Sequence, residues 1–471
     1  MQNKGLLFLF GLIFASATYA SDPPVPSTGD ALVTSSIGEP INLIPFFAAD
    51  SSSADVSSLI FNGLVKYDKN FKLTGDLAES WDVLEGGLKI IFHLKKNVFW
   101  QDGMPLTAKD VVFTYQKLTD PNIPSPYGGD FEKVKNLQVI DRYTVEVDYK
   151  EPFSPGLSSW GMGIVPRHLL EKEDLLKTDF SRRPVGTGPY ILKRWKSGEK
   201  IELSANPRYF EGRPFIDRYI YRIIPDQSTT FLELETENLD LNGLTPLQYQ
   251  RQTNNQFFKT KYSKFRTPSS GVVYVGYNLN NPLFTDKKIR KALGMAINKK
   301  EIVDVALLGL GRVATGPFLP GTWAYDPNVK ESRFDPAEAR RMLAEAGWKD
   351  TDGDWILDKD GKTFEFTVLT NQGNDQRRMA CEMMQKRFKD VGIVMKIQMV
   401  EWSTFLREFI DKKRFEAVVL AWQLPRDPDC FDIFHSSKTT QGNFNFVSYR
   451  NKEVDQLLET GRRLFKEEER A

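Results

Sequence analysis

Cysteine is nearly absent from this sequence: 471 residues hold only Cys381 and Cys430. A disulfide framework is therefore excluded as the source of stability, and the two residues are either one pair or two buried free thiols. Histidine is just as scarce, with His93, His168 and His435 far apart in three unrelated contexts. No histidine-rich metal motif can be built from them locally. No serine stands in a nucleophile-elbow context, so a hydrolytic triad has no signature. Beyond the first twenty residues no apolar run nears the ~20 residues that span a bilayer, which argues against stable membrane insertion.

An excess of one charge is missing too. The leader MQNKGLLFLFGLIFASATYA joins Lys4 to an apolar stretch from Leu6 to Phe14 and small residues up to Ala20. It reads as a signal peptide over residues 1–20, so the mature chain is exported. Without Lys4 the chain carries 62 basic and 62 acidic residues. Neither a nucleic acid nor a membrane surface is indicated as a partner. Roughly 450 residues remain, enough for about three domains of ordinary size. The apolar share of 41%, with 12% aromatic, suffices for their cores.

What is present is an alternation of strand and helix signals. ALVTSSI, LKIIFHL (Leu88–Leu94) and TVEVDY (Thr144–Tyr149) are strand-like. Asp50 to Ser53 caps ADVSSLIFNGLV, whose Val56, Leu59, Ile60 and Leu64 recur at helical spacing. Thr107 and Asp110 form a capping-box variant before VVFTYQKL. In the second half a strand, VVYVGYNL, precedes the helical run TDKKIRKALGMAINKKEIVDVAL. DPAEARRMLAEAGW follows with Asp335 as cap, Pro336 in the first turn, Glu338 reaching back and Gly347 as the left-handed stop. EFTVLT, MACEMMQKRFKDVG, VMKIQMV, STFLREFIDKK and EAVVLAW continue as β, α, β, α, β, the order of a crossover domain. The fold class is α/β.

Three stretches imitate chemical sites. DTDGDWILDKDGK has the odd aspartate spacing of a calcium loop, but Trp355 and Gly361 stand where glycine and glutamate are required, so a surface hairpin is expected. VGTGPY feeds YILKRW, a strand, whereas a phosphate cradle feeds a helix. AWQLPRDPDCFDIF is the hardest to place, with Asp427, Asp429 and Asp432 close behind Trp422. Asp427 and Asp429 lie about 7 Å apart on one side of an extended segment, a separation that suits a glycosidase pair. The same residues suit a loop-to-helix junction or a ligand anchor.

A set of motifs in fixed order then adds a resemblance over nearly the whole mature chain. GEPINLIPFF, SSLIFNGLVKYD, LAESWDV, LKIIFHLKKNVFWQDGMPLTAKDVVFTYQKLTDP, VPRHLL, RPVGTGPYILKRW, ANPRYFEGRPFID, GYNLNNPLFTDKKIRKALGMAINKKEIV, FDPAEARRMLAEAGW and NFVSYRNKEVDQLLE all contribute. The chain resembles the periplasmic solute-binding proteins of family 5, the oligopeptide-, dipeptide- and nickel-binding class of ABC importers. The resemblance implies a two-lobed periplasmic-binding-protein fold of the class II type, with an inserted α/β domain and a hinge. Lobe I is expected at residues 21–62 and 184–270, the inserted domain at 63–183, and the other lobe at 271–471. The family's chain returns to lobe I, whereas FKEEERA falls within a helix of the other lobe. The return is therefore expected to be missing, with lower stability or weaker closure as the consequence.

The implied activity is capture of oligopeptides by lobe closure and delivery to permease subunits, by a periplasmic monomer without cofactor, metal or catalytic residue. Closure by ligand requires tighter binding to the closed form, which a peptide touching both lobes supplies. Carried over residue by residue, the resemblance puts Ala421 and Trp422 on the ligand-contacting strand end and Trp402 and Tyr127 near the cleft. Tyr277 and Asn278 fall on the strand entering the second lobe, and Phe46 in a segment bordering the cleft. The family's acidic anchor for a peptide ammonium falls on Pro425 here. Either Asp427 replaces it from a shifted loop or the ligand lacks a free ammonium. The alternatives are an oligosaccharide stacked on Trp402 and Trp422, and a secreted carbohydrate hydrolase using Asp427 and Asp429.

Overall fold

The computed structural model describes residues 27–267, 269, 271–423 and 427–470. The leader at residues 1–20 and Pro425 lie outside the described residues. Three four-stranded sheets organise the rest. The first joins Gly29–Ser36 to Tyr190–Lys196, Lys200–Ala205 and Ile216–Ile223, with Gly29–Ser36 parallel to Ile216–Ile223 and the other pairs antiparallel. The second is antiparallel throughout, in the spatial order Ala78–Leu84, Lys89–Leu94, Thr144–Tyr149, Val134–Asp141. Its chain thus leaves the first sheet and re-enters it. The third runs Gly271–Tyr277, Ala417–Gln423, Glu365–Asn371, Val394–Val400. Its last three strands are parallel and the first is antiparallel to its neighbour.

The alternation of side chains along these strands decides where the cores lie. In the third sheet Ala417 and Val419 join Phe284, Leu293, Phe366 and Phe388 on one face. Val418 and Leu420 join Phe405 and Phe446 on the other. The first two sheets share one cluster, which includes Trp100, Trp160, Phe92 and Phe131. Among the described residues no buried apolar cluster crosses from the first two sheets to the third.

Local signals were met where a side chain satisfies its own helix end. The Asp110 carboxylate accepts from the Thr107 backbone at 2.9 Å and also from the Arg167 amide at 3.0 Å, tying the helix Ala108–Leu118 to a distant segment. Asp335 caps Pro336–Glu345 through the Glu338 amide at 3.0 Å, and Gly347 takes φ +92°. The aspartate-rich run is a surface turn, in which Asp350 accepts from the Gly353 and Trp355 amides at 2.7 and 3.0 Å. Gly186 and Gly188 press on the carbonyl of Ile60, where a Cβ would overlap it, before Tyr190 opens a strand.

Two helical expectations are corrected. The run after Thr285 is two helices, Lys287–Ala296 and Lys299–Ala306, because the Asn298 side chain accepts from the Glu301 amide at 3.1 Å and starts a new one. STFLREFIDKK is a single turn at Trp402–Thr404 followed by a π-helical segment, Phe405–Ile410. Both cysteines are buried and free. Burial pushes each thiol up to about 12, so neither is a reactive nucleophile at neutral pH.

Candidate ligand-binding site

In open α/β sheets, ligands meet the carboxyl ends of the parallel strands. At that end of the third sheet stand Asn371, Val400 and the Ala421–Gln423 terminus, opposite the segment Gly38–Asp50 that follows the first strand of the first sheet. Trp402 opens the turn after Val400 and reaches across. Its Nε1 donates to Asp50 Oδ1 at 3.3 Å, and its ring lies so close to Gly38 that a Cβ there would overlap it. Arg407, one turn on, donates to the Ile41 carbonyl at 3.1 Å. Asp50 meanwhile caps its own helix through the Ser53 amide at 3.1 Å. These contacts close the first lobe onto the third sheet.

A second line of contact is aromatic. Trp422 stacks on Tyr274 across the strand pair, with ring planes 7° apart and centroids 6.3 Å apart. Phe444 meets Trp422 edge-on at 5.4 Å and Tyr127 edge-on at 5.5 Å. Tyr127 comes from the second-sheet body and donates its hydroxyl to the Ala48 carbonyl at 3.3 Å. Burial and the nearby Asp130 charge raise its hydroxyl well above the ordinary tyrosine range, so it stays a neutral donor. The wall Tyr274, Trp422, Phe444, Tyr127 thus joins the two bodies.

Beside that wall is a cavity of about 2590 Å³. All seven residues of Gly271–Tyr277 line it, because among the described residues that strand pairs on one side only. Trp422, Phe444, Asp427 and Arg470 line it as well.

The sequence-derived residues separate into two groups. Trp402, Trp422 and Tyr127 meet at the junction, with Ala421 beside Trp422 on the same strand. Phe46 is fully buried in the first-lobe core, edge-on to Phe47 at 4.9 Å. Tyr277 packs on Phe284 at 4.8 Å in the core of the third sheet's far face, though it also borders the cavity. Asn278 donates to the Phe415 and Lys413 carbonyls at 2.9 and 3.2 Å and accepts from the Asn280 amide at 3.1 Å. Its hydrogen bonds serve the backbone.

Asp427 receives a two-pronged bond from Arg470, at 2.7 and 2.8 Å. Asp429 receives Arg462 Nε at 2.7 Å. A glycosidase needs one protonated and one unencumbered carboxyl group, and each of these is held by a guanidinium. Both pairs were beyond sequence reasoning: the partners lie 43 and 33 residues away with no local pattern to link them. Asp50, the cross-lobe acceptor, was legible only as a helix cap.

Two packed bodies, with a large cavity along the edge strand Gly271–Tyr277 of one that residues Tyr67, Leu73 and Ser154 of the other also line, define a two-lobed α/β binding protein. The chain belongs to family 5 of the bacterial extracellular solute-binding proteins: the model described as "Bacterial extracellular solute-binding proteins, family 5 Middle" matches residues 72–444. The oligopeptide-binding protein AppA of Bacillus subtilis is 38% identical over 444 residues, covering 92% of this chain and 80% of that one. The structure of AppA from Bacillus subtilis in complex with a nonapeptide superposes with a TM-score of 0.89 at 36% identity, covering 95% and 89% of the two chains. NikZ from Campylobacter jejuni in complex with Ni(L-His) gives 0.84 at 29%, covering 95% and 88%.

Proposed function

We propose that this protein captures extended oligopeptides between its lobes outside the cytoplasm and delivers them to the permease subunits of an ABC importer. The observation that carries the reading is the likeness to AppA, a chain solved with a nonapeptide bound. The size of the cavity agrees with it. At about 2590 Å³ it exceeds the roughly 300–1,000 Å³ typical of small-molecule sites. A peptide presents the same main-chain donors and acceptors whatever its sequence, and the free strand edge along the cavity offers matching groups. Phe444 and Trp422 supply apolar surface for side chains. The protein returns its ligand unchanged, since Asp427 and Asp429 are both held by arginines.

NikZ, solved with Ni(L-His), favours a different cargo, but the described residues place no carboxylate, histidine and cysteine cluster in the cavity. The one such group, Asp350, Asp352 and Asp358, is on the surface turn. Titration calorimetry with peptides of two, four and nine residues tests the proposal. Binding is expected to strengthen from two residues to nine. Failure of every peptide to bind, with uptake of Ni(L-His) instead, would overturn it.

A further inference from the structure

Below the aromatic wall the second-sheet body meets the third-sheet body through charges withdrawn from water. Arg462 is only 4% exposed. Its Nη2 lies 2.6 Å from Asp429, 3.1 Å from Asp130 and 3.8 Å from Asp432, and its Nη1 donates to the Gly129 carbonyl at 3.5 Å. The guanidinium is centred 3.8 Å from the Phe431 ring. Lys438, also buried, donates to Glu132 at 2.7 Å and lies 3.6 Å from Asp432. Asp130, Gly129 and Glu132 belong to one body and the remainder to the other. Gly129 approaches so closely that a Cβ would strike both Lys438 Nζ and Asp432 Oδ1.

The charges in this joint do not balance. Three carboxylates, Asp130, Asp429 and Asp432, crowd one guanidinium and one ammonium, and Glu132 at the rim also draws on that ammonium. Asp429 takes the guanidinium directly. Asp432 Oδ1 is buried without a hydrogen-bond donor, which an ionised oxygen tolerates poorly. Tyr127 and Tyr149, which face Asp130 from its own body, are neutral and carry no compensating charge. His435, on the far side of Phe431, is engaged by Ser437 and Glu459. The outer pair of Arg463 with Glu151, at 2.6 Å, is complete in itself.

We propose that Asp130 and Asp432 hold one proton between them, and that this joint positions the Tyr127, Phe444 and Trp422 wall in a proton-dependent manner. Tyr127 is three residues before Asp130, so any loosening of the joint is passed to the wall. Burial first, then the Asp432 and Asp429 charges, push the Asp130 carboxyl up to about 8, against the pull of Arg462 and Lys438; burial also raises Asp432. A carboxyl raised in the docked state binds its proton more tightly there than when undocked. Docking is therefore strongest at low pH and weakens as pH rises, up to tenfold per unit until about pH 8, where the docked form too loses the proton.

Hydrogen exchange of the whole ligand-free chain tests this, with intrinsic rates corrected for pH. Between pH 6.5 and pH 9 the segments 125–133 and 429–438 are expected to lose protection tenfold or more relative to the strand Lys89–Leu94. Asp130→Asn keeps the acceptor for Arg462 but cannot ionise, so its protection should not change with pH. An unchanged wild type, or a variant that loses protection equally, would overturn the proposal. If Asp130→Asn fails to fold, Asp432→Asn is read against the same two outcomes. Because no peptide is present, failure here leaves the peptide-binding proposal untouched.

Discussion

At Gly38 a missing methyl group lets the lobes close. The Trp402 ring occupies the volume a Cβ would take, and in that position its Nε1 reaches Asp50. Gly38→Ala must displace the ring, and overpacking of this kind costs about 1–3 kcal/mol. The cost falls on the closed form, so peptide affinity measured by calorimetry is expected to drop roughly 5- to 150-fold. Unchanged affinity would show that closure does not use this contact. Trp402 and Trp422 were legible from the resemblance, but the reason Trp402 matters was not, since a cap aspartate 352 residues away in sequence gives no local sign of being its acceptor.

Helices and strands were the most legible scale. Caps and a left-handed glycine stop are decided within a few residues, so Thr107, Asp110, Asp335, Pro336 and Gly347 do in the structure what their spacing implies, whereas Glu338 bonds Arg341 instead of reaching back to the Asp335 amide. The break at Asn298 was missed because an apolar stripe continued through it, and the polar cap won. The π-helical Phe405–Ile410 was missed because a one-residue widening of the turn leaves the apolar period almost intact. Asp110 belongs partly to another scale, since it caps one helix and also anchors the Arg167 amide while buried. Replacing it with alanine removes several bonds to a charged acceptor, each worth about 1.5–3 kcal/mol. Urea unfolding should show Asp110→Ala destabilised by about 4 kcal/mol or more, with Lys109→Ala as the near-neutral surface control.

Over the whole molecule, the order of segments was readable and the junctions were not. Strand and helix signals plus the ordered motifs led to a two-lobed α/β binding protein, because burial patterns are written along the chain. Arg462 with Asp130, by contrast, pairs residues 332 apart, and each alone looks like an ordinary surface charge. What brings them together is the packing of one body on another. The aspartates behind Trp422 therefore suggested acid–base chemistry in sequence, while in three dimensions they are half of a set of bonds between segments.

The separation of the apolar cores has a thermodynamic corollary. Two clusters serve the first two sheets and two others serve the third, and the bodies touch through hydrogen bonds, ion pairs and a few ring edges. Cooperativity follows shared burial, so this chain should behave as two foldons. Native-state exchange in rising urea is expected to give one opening energy for Lys89–Leu94 and Ile201–Leu203 together and a different one for Glu365–Asn371 and Ala417–Gln423. A single energy for all four would mean that the polar junction couples the bodies as tightly as a common core. With two, a ligand that spans the cleft raises the stability of both at once, and the protein becomes more cooperative when loaded than when empty.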